Sequence, residues 1–317
     1  MKNFMIGQYG GFDRQKFQRD FKKGFYGIEA CLFHSEQDIN HLVEASKEDE
    51  FHIGIHYPFR APTNILVRDA LFMAKDETLR QKAFDEIQRE WEYLATVKPA
   101  YILFHYPKPV ILDNRVNWDR WRFTDKSEYI FENEYSYEEF TESSMYLFEW
   151  LQAKSLENGI VPVLEFDALN RYIYETDFLE TSLRTYNRIK LCLDTARLHF
   201  QNKIDPHFDA KLIIKRYAKY AEIIHLSNVR VQENVEHNHH PVLPELRTEE
   251  GWAPIEEYLT LIANENKNVK ILFEHRSDLI SEEQLDRCYT WVDSLLQRKG
   301  SEGATVGKKY NEPLANW

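Results

Sequence analysis

Residues 191–200 read LCLDTARLHF: an apolar run that stops on Asp194, followed by Thr195, Arg197 and His199 before the chain turns polar. A run this continuously apolar suits a strand covered on both faces, as strands of parallel sheets are. An aspartate at its end has two readings, a cap on the following helix or a carboxylate placed for chemistry. The choice depends on whether other strands end in the same way, and several do.

Similar runs recur along the chain: FMIGQ (4–8), GIEACLF (27–33), HIGIHYP (52–58), AYILFHYP (100–107), IVPVLEF (160–166), IKLCLD (189–194), EIIHLS (222–227) and VKILFE (269–274). The segments between them are long enough for crossover helices, and several carry helix signals. DETLRQKAFDEIQREWEYLATV (76–97) repeats apolar residues at three and four. Pro254 opens APIEEYLTLIANE, and Ser281 with Gln284 has capping-box spacing. Eight strand–helix repeats predict an α/β fold, a closed parallel (β/α)8 TIM barrel, in preference to an open doubly wound sheet.

The barrel is expected to fill residues 1–299 as a single domain, with 300–317 (GSEGATVGKKYNEPLANW) as an aperiodic tail. Long loops are expected after strand 4, within 107–159, and after strand 7, over 228–253. Both would lie over the C-terminal face, where barrel active sites are built. Trp118, Trp121, Phe123, Tyr129, Phe131 and Tyr135 in the first of them suit a substrate lid, a subunit contact or a self-packed excursion.

With 43% hydrophobic and 14% aromatic residues the chain can bury a sizeable core. Asp and Glu outnumber Lys and Arg by 52 to 40, a net charge of −12 that gives no overall attraction to nucleic acid or to anionic lipid. Cys31, Cys192 and Cys288 form no CxxC pair and read as reduced core residues. The start MKNFMIGQYGG has no apolar segment of signal-peptide length, so a cytoplasmic location is expected, without a membrane partner. GxGxxG after a strand, GxxxxGK[ST], GxSxG and HExxH are all missing, which removes the usual support for dinucleotide, P-loop and serine-hydrolase chemistry.

Four runs finish on metal-type ligands: Glu165, Asp194, His225 and Glu274. Singly, each has an ordinary reading. An aspartate caps a helix, a strand glutamate pairs with an arginine such as Arg197, Arg230 or Arg276, and a histidine is satisfied in the core. In a barrel, however, these ends converge on one mouth, where three carboxylates repel one another and a divalent cation offsets that repulsion. His56 and His105 share the register His-Tyr-Pro and should face the same mouth, as substrate contacts or as further ligands. Glu29 and the His237, His239, His240 cluster are weaker candidates.

This ordered set of motifs, from GIEACLF to ILFEHR, resembles the xylose-isomerase-like barrel superfamily, in particular its sugar phosphate isomerase/epimerase group, relatives of endonuclease IV. HHPVLPELRTEEGWAPIEEYL is similar to that group's histidine and proline loop before the last strand. The resemblance implies one divalent metal ion (Mn, Mg or Co, with Zn possible) held by Glu165, Asp194, His225 and Glu274. It implies a small sugar or sugar phosphate as substrate, with Glu165 and Glu274 as the acid/base pair. His56, His105, Arg197, His199, Arg230 and Arg276 are the expected substrate contacts, Arg60 is a further phosphate candidate, and a homo-oligomer is compatible. The rival within that superfamily is phosphodiester hydrolysis at a multinuclear zinc site, an inosose-type dehydratase would use nearly the same ligands, and a sugar-binding barrel without catalysis is the alternative from another class. Arg197 stands where the nuclease has a ligand histidine, which favours a single metal.

Overall fold

The computed structural model describes residues 1–61 and 69–298, so the expected tail lies outside the described residues. Eight strands form a closed parallel barrel, each hydrogen-bonded to its neighbours in chain order. They are Phe4–Tyr9, Gly27–Cys31, His52–His56, Tyr101–Tyr106, Val161–Phe166, Lys190–Asp194, Ala221–Leu226 and Lys270–Phe273, named first to eighth below. All eight coincide with the runs expected from the sequence.

Alternation along each strand divides its side chains between two cores. Met5, Tyr101, Leu103, Val163, Cys192, Ile223 and Leu272 pack together as the plug of the barrel interior. Their sequence neighbours, among them Ile102, Phe104, Leu164, Leu191, Ile224 and Ile271, join the larger core. The strands therefore read as continuous apolar runs because both faces are covered. Gly54 is required where the third strand passes the ring of Tyr101, since any β-carbon there would overlap it.

The helices begin where local chemistry directs. Asp76 caps Glu77–Val97, and Ser281 with Gln284 makes a complete capping box before Glu282–Gln297. Ser136 and Glu139 do the same for Tyr137–Asn158, which Gly159 closes at φ 77°. No helix among the described residues is long and apolar enough to cross a membrane. Cys31, Cys192 and Cys288 are free and buried.

Both long connections carry structure of their own. After the fourth strand, Val110–Leu112 pairs in parallel with Tyr129–Phe131, and after the seventh, Asn228–Val231 pairs antiparallel with Val235–His240. Trp118 and Trp121 are buried in a separate apolar cluster with Val110, Leu112 and Val116. Trp121 stacks on Phe200, ring centroids 5.1 Å apart and planes 9° from parallel. The first excursion is thus self-packed and also anchored on the helix Thr195–Ile204 that follows the sixth strand.

Candidate metal centre

Asp194 answers to both readings of LCLDTARLHF. Its Oδ1 accepts the backbone N–H groups of Ala196 and Arg197 at 2.8 and 3.1 Å, capping the helix Thr195–Ile204. The side chain is nevertheless part of a carboxylate group with Glu165 and Glu274, one oxygen from each lying within 4.8 Å of the others. His225, paired in register beside Asp194, completes the set. Its Nδ1 lies 3.2 Å from Glu165 Oε1 and 3.3 Å from Glu274 Oε2. The four residues thus converge as their places at strand ends suggest.

The electrostatics show how crowded this centre is. Burial, followed by the nearby charge of Glu274, pushes the Asp194 carboxyl up to about 6. Burial, the largest single influence on each, works to raise Glu165 and Glu274, but the charge of His225 together with other neighbours outweighs it in both. Arg197 and His105 add to that effect at Glu165, which is held well below the usual range, while Glu274 falls to about 2. Glu165 Oε2 and His225 Nδ1 are buried and, among the described residues, are met by close ion-pair contacts, none of them with hydrogen-bond geometry. An oxygen and an imidazole nitrogen so left, beside crowded carboxylates, fit a divalent cation. Cys192 also lies close to Glu165 and His225, but burial pushes its thiol up, away from the thiolate a metal would take.

Three residues, Glu29, His56 and His105, stand behind or beside the cluster. Glu29 faces His225 Nε2 at 3.2 Å and accepts the Tyr101 hydroxyl at 2.7 Å. His56 and His105 both present Nε2 to Glu165 Oε2, at 3.3 and 3.0 Å. Their Nδ1 atoms face the Tyr57 carbonyl at 3.0 Å and Asp69 Oδ1 at 2.8 Å.

A second polar cluster adjoins the first. Lys108, only 3% exposed, spans Asp69 and Asp167 at 2.6 and 2.9 Å. Arg197 Nη1 meets Asp167 at 3.0 Å, its Nε approaches Asp194 at 3.3 Å, and its Nη2 lies 3.2 Å from His105 Nε2. Asp167 was findable in the sequence, because it stands two residues beyond Glu165, although the strand itself ends at Phe166. Lys108 and Asp69 carried no comparable signal, since both lie in irregular connections.

Other expected contacts sit elsewhere. His199 is buried with Nε2 3.2 Å from the Gly251 carbonyl, Arg230 donates to the Glu250 carbonyl at 2.9 Å, and Arg276 pairs with Asp278 at 2.6 Å on the surface. Arg60 pairs with Glu90 at 2.8 Å. None of these four lines the mouth cavity, which has a volume of about 320 Å³ and is lined by His105, Lys108, Asp167, Asp194, Arg197 and His239, among others. The histidine cluster is divided: His239 Nδ1 lies 3.2 Å from the Glu274 carbonyl, whereas His237 and His240 pack on Trp252.

The closed parallel barrel with its surrounding helices is a (β/α)8 TIM barrel, the fold of the solved structures that the chain resembles. Among the solved structures it is similar to are three with clear overlap. The D-psicose 3-epimerase of Clostridium cellulolyticum H10 with D-tagatose matches at 16% identity and TM-score 0.55, over 93% of this chain and 99% of that one. The IolI protein with a bound zinc atom matches at 13% and 0.56, over 92% and 97%. A xylose isomerase domain containing protein from Salmonella typhimurium LT2 matches at 12% and 0.53, over 94% and 98%. No protein-family model and no curated protein matches the sequence.

Proposed function

We propose that the chain is a divalent-metal-dependent isomerase or epimerase of a keto sugar or sugar phosphate. The observation that carries this reading is the convergence of Glu165 and Glu274 on His225 Nδ1, at 3.2 and 3.3 Å, with Asp194 alongside. A divalent ion bound there would polarise the sugar carbonyl and favour an enediolate. The set is hard enough for Mn, Mg or Co, and its one imidazole, His225, also suits Zn, the metal bound in the IolI structure.

The chain's own residues then divide the work. Glu274, whose side chain is 35% exposed, would take a proton from the carbon beside the carbonyl, and Glu165 would return one. Asp194 and His225 act as ligands. His56 and His105 orient Glu165 and can meet substrate hydroxyls. The reading is supported by the sugar epimerase among the similar folds, which is described with D-tagatose.

One observation favours a second reading, a dinuclear centre of the phosphodiester-hydrolase kind: His56, His105 and Glu165 present three ligand atoms within 4.8 Å of one another. Against it, Arg197 already engages His105 Nε2 and brings its own positive charge to Asp167 and Asp194. Metal-stripped protein should be reloaded, its metal counted, and turnover screened on ketoses, ketose phosphates, inososes and abasic-site DNA. One ion per chain, with solvent deuterium entering the sugar beside its carbonyl, is the expected result. Two or more ions with abasic-site cleavage would establish the hydrolase instead.

A further inference from the structure

The cavity beside the metal cluster is roofed by the excursion after the fourth strand, which brings Arg120 and Arg122 to its wall together with Trp121 and Phe123. The other arginines with a claim on an anion are engaged: Arg60 with Glu90, Arg230 with Glu236, Arg276 with Asp278 and Arg197 with Asp167. Arg120 and Arg122 form no ion pair among the described residues.

The surroundings keep them so. Arg120 is held from one side, its Nη2 donating to the Gln232 carbonyl at 3.0 Å and its guanidinium 5.8 Å from the Phe200 ring. Its Nε is buried without a hydrogen-bond partner among the described residues. The roof's own acid, Glu128, is turned to the Thr124 N–H at 3.0 Å. Below, Asp167 is already bonded to both Lys108 and Arg197. Guanidinium groups at a cavity wall without a carboxylate partner suit an acidic group of a ligand.

We propose that Arg120 and Arg122 recognise an acidic substituent of the substrate, so that the preferred ligand is a ketose carrying a phosphate or a carboxylate away from its carbonyl end. This rests on the isomerase reading above and narrows it. A volume of about 320 Å³ is near the lower end for ligand sites, enough for one monosaccharide with one acidic group.

The test is calorimetric titration of the full-length, metal-loaded protein with D-fructose, D-fructose 6-phosphate and D-fructuronate. At least one acidic ketose should bind about tenfold or more tighter than D-fructose, and in R120Q/R122Q that ratio should collapse about tenfold. R122Q alone, which leaves the Arg120 anchor intact, should reduce the ratio in the same direction. Equal affinity for all three sugars, or a ratio unchanged in the double variant, overturns the proposal while leaving the isomerase reading in place. Failure of all three to bind metal-loaded protein removes both. Tighter, arginine-dependent binding of an abasic-site duplex overturns the proposal in favour of a nucleic acid.

Discussion

Glu29 and His225 stand 3.2 Å apart at the base of the mouth, the carboxylate facing Nε2 of an imidazole that shows no exposed surface. With a divalent ion bound as proposed, that contact would keep the Nε2 proton on the Glu29 side and leave Nδ1, which faces Glu165 and Glu274, free for the metal. The tautomer a metal needs would then be set by a residue from the second strand, behind His225.

Glu29→Gln should accordingly weaken divalent-metal binding by about 10- to 100-fold while preserving the fold. Competition with a fluorescent chelator measures it. An affinity equal to wild type would mean that His225 needs no carboxylate behind it.

Glu29 is in turn held by Tyr101, and Tyr101 lies against Gly54. Gly54→Ala drives a methyl into that ring, so it should cost about 1–3 kcal/mol of stability and also lower metal affinity. Chemical denaturation and the chelator assay report the two effects. Lost stability with unchanged metal affinity would show that the Tyr101–Glu29 bond does not matter to the centre.

Glu165 is the residue on which His56, His105 and His225 all converge. Glu165→Gln should abolish the rise in melting temperature that saturating Mn or Zn gives the wild type, and should lower turnover by about 10²- to 10⁴-fold. Differential scanning fluorimetry decides the first point without any substrate. A variant still stabilised by metal would remove Glu165 from the ligand set.

Away from the mouth, Asp20 is 1% exposed and bound by Lys16 at 3.0 Å, Arg19 at 2.8 Å and Ser277 at 2.6 Å. Burial raises its carboxyl, but Lys16, Arg19 and Ser277 together carry it below the ordinary value. A carboxyl depressed in the folded state contributes stability above its unfolded value, near pH 4, and loses it as pH falls through the lower folded value. Asp20→Asn should cost about 1–3 kcal/mol at pH 7 and flatten the fall of melting temperature below pH 4. Parallel wild-type and variant curves through that range would contradict the assignment.

Much of the architecture is legible in the amino-acid order. The eight apolar runs, the helix 76–97 and the Ser281 capping box all recur in the barrel because alternation and capping are local properties. Glu165, Asp194, His225 and Glu274 are legible for a related reason, since a strand end in a closed barrel has one place to go. Asp194 shows the limit of choosing between readings, because one oxygen caps a helix while the residue also joins the cluster.

The barrel and its strand-end carboxylates follow from periodicities that act over a few residues of the chain. Which charges meet depends on how the folded chain packs. Arg60, Arg230 and Arg276 found acceptors away from the mouth, while Arg120, Lys108 and Asp69 arrived there from irregular connections. The physical reason is that a buried charge takes whatever partner the packing brings within about 3–4 Å, and no spacing along the chain encodes that meeting.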